Sequence, residues 1–271
     1  DLARVQRLAR AGQGAGKVCE SAQTYGCLGL WGPNARKTLQ SIAEKPAELE
    51  ATAFPFATFR EIRVAGISVL AFRISYVGEQ GWELHFNYDD GLALWDALYA
   101  KGVTPVGIET YSNSRRLEKS LRLQNADLLT DYNLLEADLA RPKVKPVEFH
   151  GRAAYLEQRT RANQPAMLCT LVMDENIDGN GVARYPLGNL PIINPQTDQI
   201  LVDDLNRRSY TTSIAYGPSV GKNIMLAYLP WAFCQVGQSL QMEYFNERYP
   251  VSVAAVGYQP LYDPENAKPR S

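Results

Sequence analysis

The 271-residue sequence contains no apolar run close to the roughly 20 residues that a membrane-spanning helix requires. Its N-terminal stretch is basic and lacks the apolar segment of a secretory signal. A charge excess is absent too, because 28 Lys and Arg residues balance 29 Asp and Glu residues to a net charge of -1. Without a basic excess, the chain has no global attraction for nucleic acid or for an anionic membrane. We therefore expect neither a nucleic-acid partner nor a membrane partner.

Cysteine and histidine are scarce as well. The four cysteines include no CxxC pair, and the two histidines, His85 and His150, are far apart and form no HxxxH motif. Because zinc sites commonly use such closely spaced ligands, we expect no metal site. Cys27, Cys169 and Cys234 each lie among apolar neighbours, which is typical of buried thiols in a reducing compartment.

Two common catalytic motifs have little support. The stretch GQGAGK at residues 12–17 is followed by Val18, where a phosphate-binding loop has Ser or Thr. It is not a dinucleotide-binding GxGxxG motif either, and a flexible loop is the simpler interpretation. No GxSxG occurs, and neither histidine has the setting of a general base for a nucleophile. The sequence therefore disfavours both nucleotide hydrolysis and Ser-His-Asp chemistry.

The pattern of helices and strands changes near residue 140. Before it, short amphipathic helices alternate with strands, and two strands meet at a tight Ala65-Gly66 turn. These patterns predict strands at Phe59–Val64, Ile67–Ser75, Trp82–Phe86 and Val103–Ile108, and helices at Gly91–Ala100 and Tyr111–Leu121. After it, short strands separated by Gly, Pro, Asn and Asp predict a small barrel or sandwich. We predict an α+β fold, with an α+β region at residues 1–160 and a C-terminal β domain at residues 161–271.

The segment SYVGEQGWEL, residues 75–84, carries the most informative pattern of the first region. Two glycines frame a turn between two strands, and Glu83 follows between Trp82 and Leu84. Strand alternation points the Glu83 side chain away from these apolar neighbours. Either Glu83 faces solvent, or it faces a cleft where its carboxylate accepts two parallel N–H bonds from an amidine-like ring edge. In the second case Tyr76 stacks on the same ring or hydrogen-bonds to it.

A second cluster lies on the predicted helix YSNSRRLEKSLR, residues 111–122. Four charged residues share one helical face, which indicates a solvated, mixed-charge surface. They are Arg115, Glu118, Lys119 and Arg122. Arg116 stands off that face, one turn before Ser120, and an arginine in such a position can fork onto a ligand carboxylate.

In these motifs, and in their order along the chain, the sequence resembles the aminomethyltransferase family, the folate-binding T-protein of glycine cleavage. It is more similar still to the C-terminal module of dimethylglycine and sarcosine dehydrogenases. The resemblance covers about residues 18–266. Its most specific stretch is FPFATFREIRVAGISVLAFRISYVGEQGWELHF, preceded by LGLWGPNARKTLQSI and followed by SRRLEKSLR, LLEADL, EFHGRAAY and PLYDPE.

The resemblance implies T-protein-like lobes with a ferredoxin-like α/β layer, followed by a small C-terminal β-barrel. It implies tetrahydrofolate as cofactor, with Glu83 holding the pterin edge, Tyr76 at the same ring and Arg116 meeting the folate tail. It further implies a small methylated amine or amino acid as substrate, and the cytoplasm or the mitochondrial matrix as compartment. FAD is expected only in a separate domain or chain, because no Rossmann fingerprint occurs here. The implied function is one-carbon transfer to folate within a flavin-linked N-demethylase, or a glycine-cleavage aminomethyltransferase.

Two departures from the family pattern bear on activity. The family module normally begins upstream and there carries an Asp that orients or deprotonates the reacting nitrogen. We therefore expect another chain or an upstream segment to supply it, and the catalytic residue is unassigned. Family glycines are replaced by Ser120, Ala126 and Asp138, at points where Gly typically allows a positive φ or a close approach. The replacements either alter the folate channel or the substrate, or mark a non-catalytic folate-binding or structural subunit.

Overall fold

The computed structural model describes residues 2–11 and 24–271. The chain forms two compact units, each with its own apolar core. The first comprises Asp1–Ser75, Gln80–Pro105 and Pro269–Ser271, and the second comprises Tyr76–Glu79 and Val106–Lys268. The GQGAGK stretch and Cys19 lie outside the described residues. The division of the chain at residues 160 and 161 stays a prediction.

The first unit is built on a four-stranded antiparallel sheet. Its elements are α1 (Leu2–Ala11), β1 (Tyr25–Trp31), α2 (Ala35–Gln40), β2 (Phe59–Val64), β3 (Ile67–Phe72), β4 (Gly81–Asn87) and α3 (Gly91–Tyr99), with 3-10 turns at Pro46–Leu49 and Tyr88–Asp90. The strand order is β1-β4-β3-β2. The hairpin between β2 and β3 turns at Ala65 and Gly66, whose φ values of 50° and 80° suit a two-residue turn. The predicted hairpin is confirmed.

Alternation along the strands gives this sheet one apolar face. Trp82 and Leu84 of β4 and Val69 of β3 are fully buried there. They belong to one cluster with Leu39 of α2 and Leu94 of α3. Because side chains alternate across a strand, the odd-numbered residues of β4 point to the other face of the sheet.

The second unit is mainly β structure. A π-helical turn at Thr110–Arg115 continues into α4 (Arg116–Glu118), and α5 (Arg152–Gln158) follows. The strands are β5 (Ala166–Met173), β6 (Ile192–Asn194), β7 (Gln199–Ile200), β8 (Thr211–Gly217), β9 (Lys222–Pro230), β10 (Ser239–Tyr244) and β11 (Glu247–Val256), with a 3-10 turn at Trp231–Phe233. The last element of the chain is α6 (Ala267–Arg270).

The seven strands of the second unit form one antiparallel sheet in the order β7-β6-β10-β11-β5-β9-β8. The two ends of this sheet meet, because the Ile192 amide donates to the Ser209 carbonyl and the Thr211 amide donates to the Leu190 carbonyl. The sheet therefore curls around its apolar core. The predicted α+β fold with a small C-terminal barrel is confirmed.

Two predicted elements were wrong in part or whole. Val103–Ile108 is not a strand. Pro105 has no N–H for a ladder, and Val106 and Ile108 are exposed. The predicted helix Tyr111–Leu121 instead begins as a wide π-helical turn and ends at Glu118.

The burial predicted for the thiols holds for two of the three. Cys169 is fully buried on β5 and Cys234 is half-buried after β9. Cys27 is exposed, because β1 turns it to the face of the first sheet opposite the apolar core. A local run of apolar neighbours did not reveal which face of the strand the thiol occupies.

Two of the three residues that replace family glycines adopt the positive-φ backbone conformation that glycine favours. Ser120 has a φ of 54° and Asp138 a φ of 51°. That left-handed conformation costs a non-glycine residue roughly 1–2 kcal/mol. Both side chains make compensating contacts. The Ser120 hydroxyl lies 3.2 Å from the Thr170 hydroxyl, and the Asp138 carboxylate accepts the Tyr258 amide at 2.7 Å.

We expect Asp138→Ala to destabilise the second unit by about 1–2 kcal/mol, since it removes the acceptor for the Tyr258 amide and keeps a strained φ. Asp138→Gly loses the same bond but relieves the strain, so it should cost less. Urea unfolding of the two variants measures the difference. If glycine destabilises as much as alanine, the left-handed conformation is not what this position requires.

Candidate functional site

The centre of the first candidate site is Glu83 on the outer face of β4. Its backbone is paired with Gly29 of β1 and with Phe72 of β3. The side chain is 22% exposed, and one carboxylate oxygen lies 3.5 Å from Nε2 of His85. Glu83 is therefore partly enclosed and held beside other polar and aromatic groups, on the face predicted by strand alternation.

An aromatic surface adjoins this carboxylate. The Phe72 ring meets the His85 ring edge-on at a centroid distance of 4.9 Å, and Phe59 stacks on Phe72 at 5.5 Å. Both aromatic side chains share the outer face with Glu83, because the cross-strand pairs Phe72–Glu83 and Phe59–Phe72 lie on one side of the sheet. A carboxylate beside aromatic rings suits a flat, hydrogen-bonding heterocycle.

A glycine lets β4 approach β1 closely enough to fix Glu83 in place. A Cβ on Gly81 would lie 2.0 Å from the Leu30 carbonyl oxygen and 2.7 Å from the Trp31 ring. A backbone carbonyl cannot yield as a flexible side chain can, so this position requires glycine. The first residue of β4 is thereby clamped two residues before the carboxylate.

Cys27 and His85 complete the polar part of this face. The two residues are directly opposite each other in the β1–β4 ladder, with 3.7 Å between Sγ and Nε2. Ligand-type atoms of Cys27, Glu83 and His85 all lie within 4.8 Å of one another. The sequence analysis missed this grouping because it searched for closely spaced ligands, whereas the residues come from strands far apart in the chain. The alternation of the predicted strand Trp82–Phe86 placed Glu83 and His85 on one face, but it could not show that Cys27 pairs with His85.

Cys27 should react slowly with iodoacetamide at pH 8. Partial burial of the thiol, and then the charge of Glu83, raise the pKa of Cys27 to about 11. Since the thiolate is the nucleophile, alkylation should be roughly ten- to a hundredfold slower than in the unfolded chain. Glu83→Gln removes the smaller cause and should speed the reaction. Peptide-resolved mass spectrometry in chelator measures both rates, and equal rates in folded and urea-unfolded protein would contradict the pKa.

Tyr76 and Arg116 lie in the second unit. The Tyr76 hydroxyl donates to the Arg122 carbonyl at 2.9 Å, and its ring tilts against Tyr111 at a centroid distance of 5.2 Å. Burial is the main cause that raises the pKa of Tyr76 above its ordinary value, so the phenol stays protonated near neutral pH. Its oxygen retains acceptor capacity, and its ring is available as a packing surface.

Arg116 is fully buried, and protein groups bind its whole guanidinium. All five N–H donors have partners, which are the Ser112 and Leu121 carbonyls, the Asn113 side-chain oxygen, the Ser213 hydroxyl and the Asp127 carboxylate. A ligand carboxylate would have to displace one of these partners. The geometry therefore supports a structural role more directly than contact with a folate tail.

The prediction that the neighbouring charges form a solvated face was wrong. Glu118 is fully buried, and Lys119 and Arg122 are buried as well. Arg115 is paired with Glu79 and Glu118 at 2.8 and 2.5 Å. The sequence could not reveal this burial, because some partners are over one hundred residues away in the chain. The Ser219 amide, for example, donates a hydrogen bond to the Glu118 carboxylate.

Comparison with known protein families identifies the family of this chain. Residues 1–143 match the family described as the GCVT N-terminal domain, and residues 186–263 match the glycine cleavage T-protein C-terminal barrel domain. The chain belongs to the GCVT family. The aminomethyltransferase resemblance of the sequence is thus confirmed, and the barrel-domain match covers six of the seven strands of the second unit's sheet, β6 to β11.

Curated relatives of this GCVT-family chain are of two kinds. Human mitochondrial dimethylglycine dehydrogenase is 30% identical over 84% of the chain, and human mitochondrial sarcosine dehydrogenase is 35% identical over 59% of it. The aminomethyltransferase of Listeria monocytogenes serotype 4a is 30% identical over 87% of it. The matched regions make up 25%, 18% and 60% of those proteins, so the chain spans only part of each.

A solved structure supports the same GCVT fold. The glycine cleavage system aminomethyltransferase T from Bartonella henselae matches with a TM-score of 0.69 at 21% identity, covering 88% of this chain and 60% of that one. At that identity the match establishes the fold alone. Across residues 2–11 and 24–271, no helix combines the length and apolar character needed to cross a membrane.

Proposed function

We propose that this chain binds tetrahydrofolate and takes part in folate-dependent one-carbon transfer, with Glu83 as the contact for the pterin edge. The observation that carries the proposal is the position of Glu83, a partly enclosed carboxylate on the outer face of β4 beside Phe72 and His85. Membership of the GCVT family supplies the class of reaction.

The chemistry of this face fits a pterin. The pterin edge presents a ring N–H beside an exocyclic amino group, and one carboxylate accepts both bonds side by side. The rings of Phe72 and Phe59 offer an apolar surface for the flat heterocycle on the same face. Gly81 keeps β4 tight against β1, so the carboxylate is held on a strand rather than on a loop.

In this proposal the residues of the chain bind the folate and orient it. When bound, tetrahydrofolate supplies the amine nitrogens that take up the one-carbon unit. Glu83 fixes the rotation of the pterin in its plane, which orients the amine nitrogens toward the incoming one-carbon unit. Tyr76 and Arg116 are assigned to the folate by resemblance alone. To bind the folate tail, Arg116 would have to give up a buried partner such as Asp127 or Ser213. The proposed folate binding therefore does not depend on Arg116.

More specifically, we propose that the chain is the folate-binding module of a flavin-linked N-demethylase that acts on small methylated amines or amino acids. The similarity to dimethylglycine and sarcosine dehydrogenases supports it, and the matched regions make up 25% and 18% of those two proteins. The oxidising FAD, and the family Asp at the reacting nitrogen, would then reside in another segment or chain. The names of these relatives include the word mitochondrial, which supports a mitochondrial location over a cytoplasmic one.

A second candidate is a folate-binding or structural subunit that does not transfer carbon. Ser120 and Asp138 favour it, because they occupy positive-φ positions with side chains where family members have glycine. A glycine-cleavage aminomethyltransferase is the third, supported by the similarity to the Listeria enzyme.

Titration of the chain with tetrahydrofolate by calorimetry tests the shared part of these proposals, and we expect saturable one-to-one binding. The mass and flavin absorbance of the native polypeptide or complex then test whether the chain is a module of a flavin-linked demethylase. Methylene-tetrahydrofolate formed from a methylated amine supports the demethylase. Folate binding without product formation in the complete complex supports the non-catalytic subunit, and no binding to that complex contradicts both.

A further inference from the structure

Three different metal-ligand atoms converge on the outer face of the first sheet. Cys27 of β1 contributes a sulfur, His85 of β4 a ring nitrogen and Glu83 of β4 a carboxylate oxygen. The sulfur lies 3.7 Å from His85 Nε2, which lies 3.5 Å from the Glu83 oxygen. All three atoms lie within 4.8 Å of one another.

These separations match those of ligands around one tetrahedral ion. Zinc lies about 2.3 Å from thiolate sulfur, about 2.0–2.1 Å from imidazole nitrogen and about 2.0–2.2 Å from carboxylate oxygen. At tetrahedral angles these bonds place sulfur and nitrogen about 3.6 Å apart, and nitrogen and oxygen about 3.4 Å apart. The observed 3.7 and 3.5 Å match these two separations, and the Cys27 sulfur and the Glu83 oxygen, which lie within 4.8 Å, come together by side-chain rotation.

We infer that Cys27, Glu83 and His85 form a binding site for a divalent transition-metal ion of the zinc type. The ligand set selects the class of ion, because thiolate and imidazole suit zinc, whereas calcium and magnesium need several oxygens. Three protein ligands leave a fourth position for water or another ligand.

The fold holds all three ligands on one face of the sheet. His85 and Cys27 are directly opposite in the β1–β4 ladder, and Glu83 is two residues along β4 on the same face. The Phe72 ring packs edge-on against the His85 imidazole at 4.9 Å, which restrains its rotation. An ion can reach the site, since the His85 side chain is 34% exposed and Cys27 is exposed.

The site has a consequence for folate that rests on the proposed function. Glu83 belongs both to the metal ligands and to the proposed pterin contact. A carboxylate oxygen bound to a metal has less negative charge and a fixed orientation, so it is a poorer acceptor for one of the two pterin N–H bonds. Bound metal should therefore weaken tetrahydrofolate binding, and saturating folate should weaken metal binding by the same factor.

Titration of the metal-free chain with Co²⁺ alone tests the site. We expect one equivalent to produce the visible bands of tetrahedral cobalt and a near-ultraviolet thiolate-to-cobalt charge-transfer band. Cys27→Ser should abolish the charge-transfer band. His85→Gln should weaken binding on the order of 100-fold or more, beyond the 10–100-fold that loss of an outer-shell partner costs. The matched controls, His150→Gln and Cys234→Ser, should leave the spectrum and affinity unchanged.

A wild-type chain without the charge-transfer band, or a band that persists in Cys27→Ser, would overturn the site. This titration contains no folate, so it fails or succeeds independently of the proposed function. A second titration, of tetrahydrofolate with and without Zn²⁺, addresses the shared carboxylate. Weaker folate binding with Zn²⁺ in the wild type, but not in Cys27→Ser, supports the sharing. Equal affinity at saturating Zn²⁺ rules it out.

Discussion

Replacing Arg116 by methionine should destabilise the second unit by about 3–5 kcal/mol, because it leaves the Asp127 carboxylate buried without its cation. Both side chains are fully buried, and the ion pair has a nitrogen–oxygen distance of 2.5 Å. Asp127 retains hydrogen bonds from the Leu123 amide and the Ser213 hydroxyl, so part of its charge stays solvated by protein. Urea unfolding followed by circular dichroism measures the loss.

A second substitution separates the charge from the packing. Arg116→Met/Asp127→Asn removes the uncompensated charge, and it should recover a large part of the stability lost in the single variant. Arg161→Met changes an exposed arginine and should stay within about 0.5 kcal/mol of wild type. An Arg116→Met chain as stable as Arg161→Met would show that the buried pair contributes nothing to the fold.

The same position distinguishes a structural arginine from one that binds the folate tail. Arg116→Lys keeps the positive charge near Asp127 but cannot supply five donors. If Arg116 is structural, the folded variant should bind tetrahydrofolate with nearly wild-type affinity despite lower stability. A drop of tenfold or more, at a temperature where the variant is fully folded, would return Arg116 to the role that the resemblance implies.

The sequence predicted best where local rules decide the structure. Ala65 and Gly66 formed the expected hairpin, and alternation placed Glu83 opposite Trp82 and Leu84. Short apolar segments separated by Gly, Pro, Asn and Asp identified the C-terminal barrel. It failed at Val103–Ile108, where an apolar alternation containing Pro105 had no neighbouring strand to pair with.

The candidate sites were predictable only in part, because their geometry depends on distant pairings. Cys27 meets His85 only because β1 lies next to β4, an order that skips two intervening strands. Arg116 is buried by partners such as Ser213, far along the chain. Charge periodicity within one helix could not show that its residues would be covered. Contacts of this kind follow from topology, which single-residue patterns do not determine.

Glu83→Gln should weaken tetrahydrofolate binding by roughly 10- to 150-fold, which is about 1.5–3 kcal/mol. The amide keeps the size of the side chain, but it replaces one acceptor by a donor that faces the pterin N–H groups. The fold should be unaffected, since Glu83 lies on the outer face of the sheet, where its carboxylate contacts the His85 ring. Glu61→Gln, an exposed glutamate on β2 of the same sheet, is the matched control and should bind folate as the wild type does.

The most direct measurement is calorimetry of tetrahydrofolate binding to the wild type, Glu83→Gln and Glu61→Gln, in chelator so that no metal occupies the carboxylate. The account predicts one-to-one binding in the wild type and the control, and a dissociation constant at least tenfold higher in Glu83→Gln. Equal affinity in all three proteins would place the pterin elsewhere and contradict the proposed site.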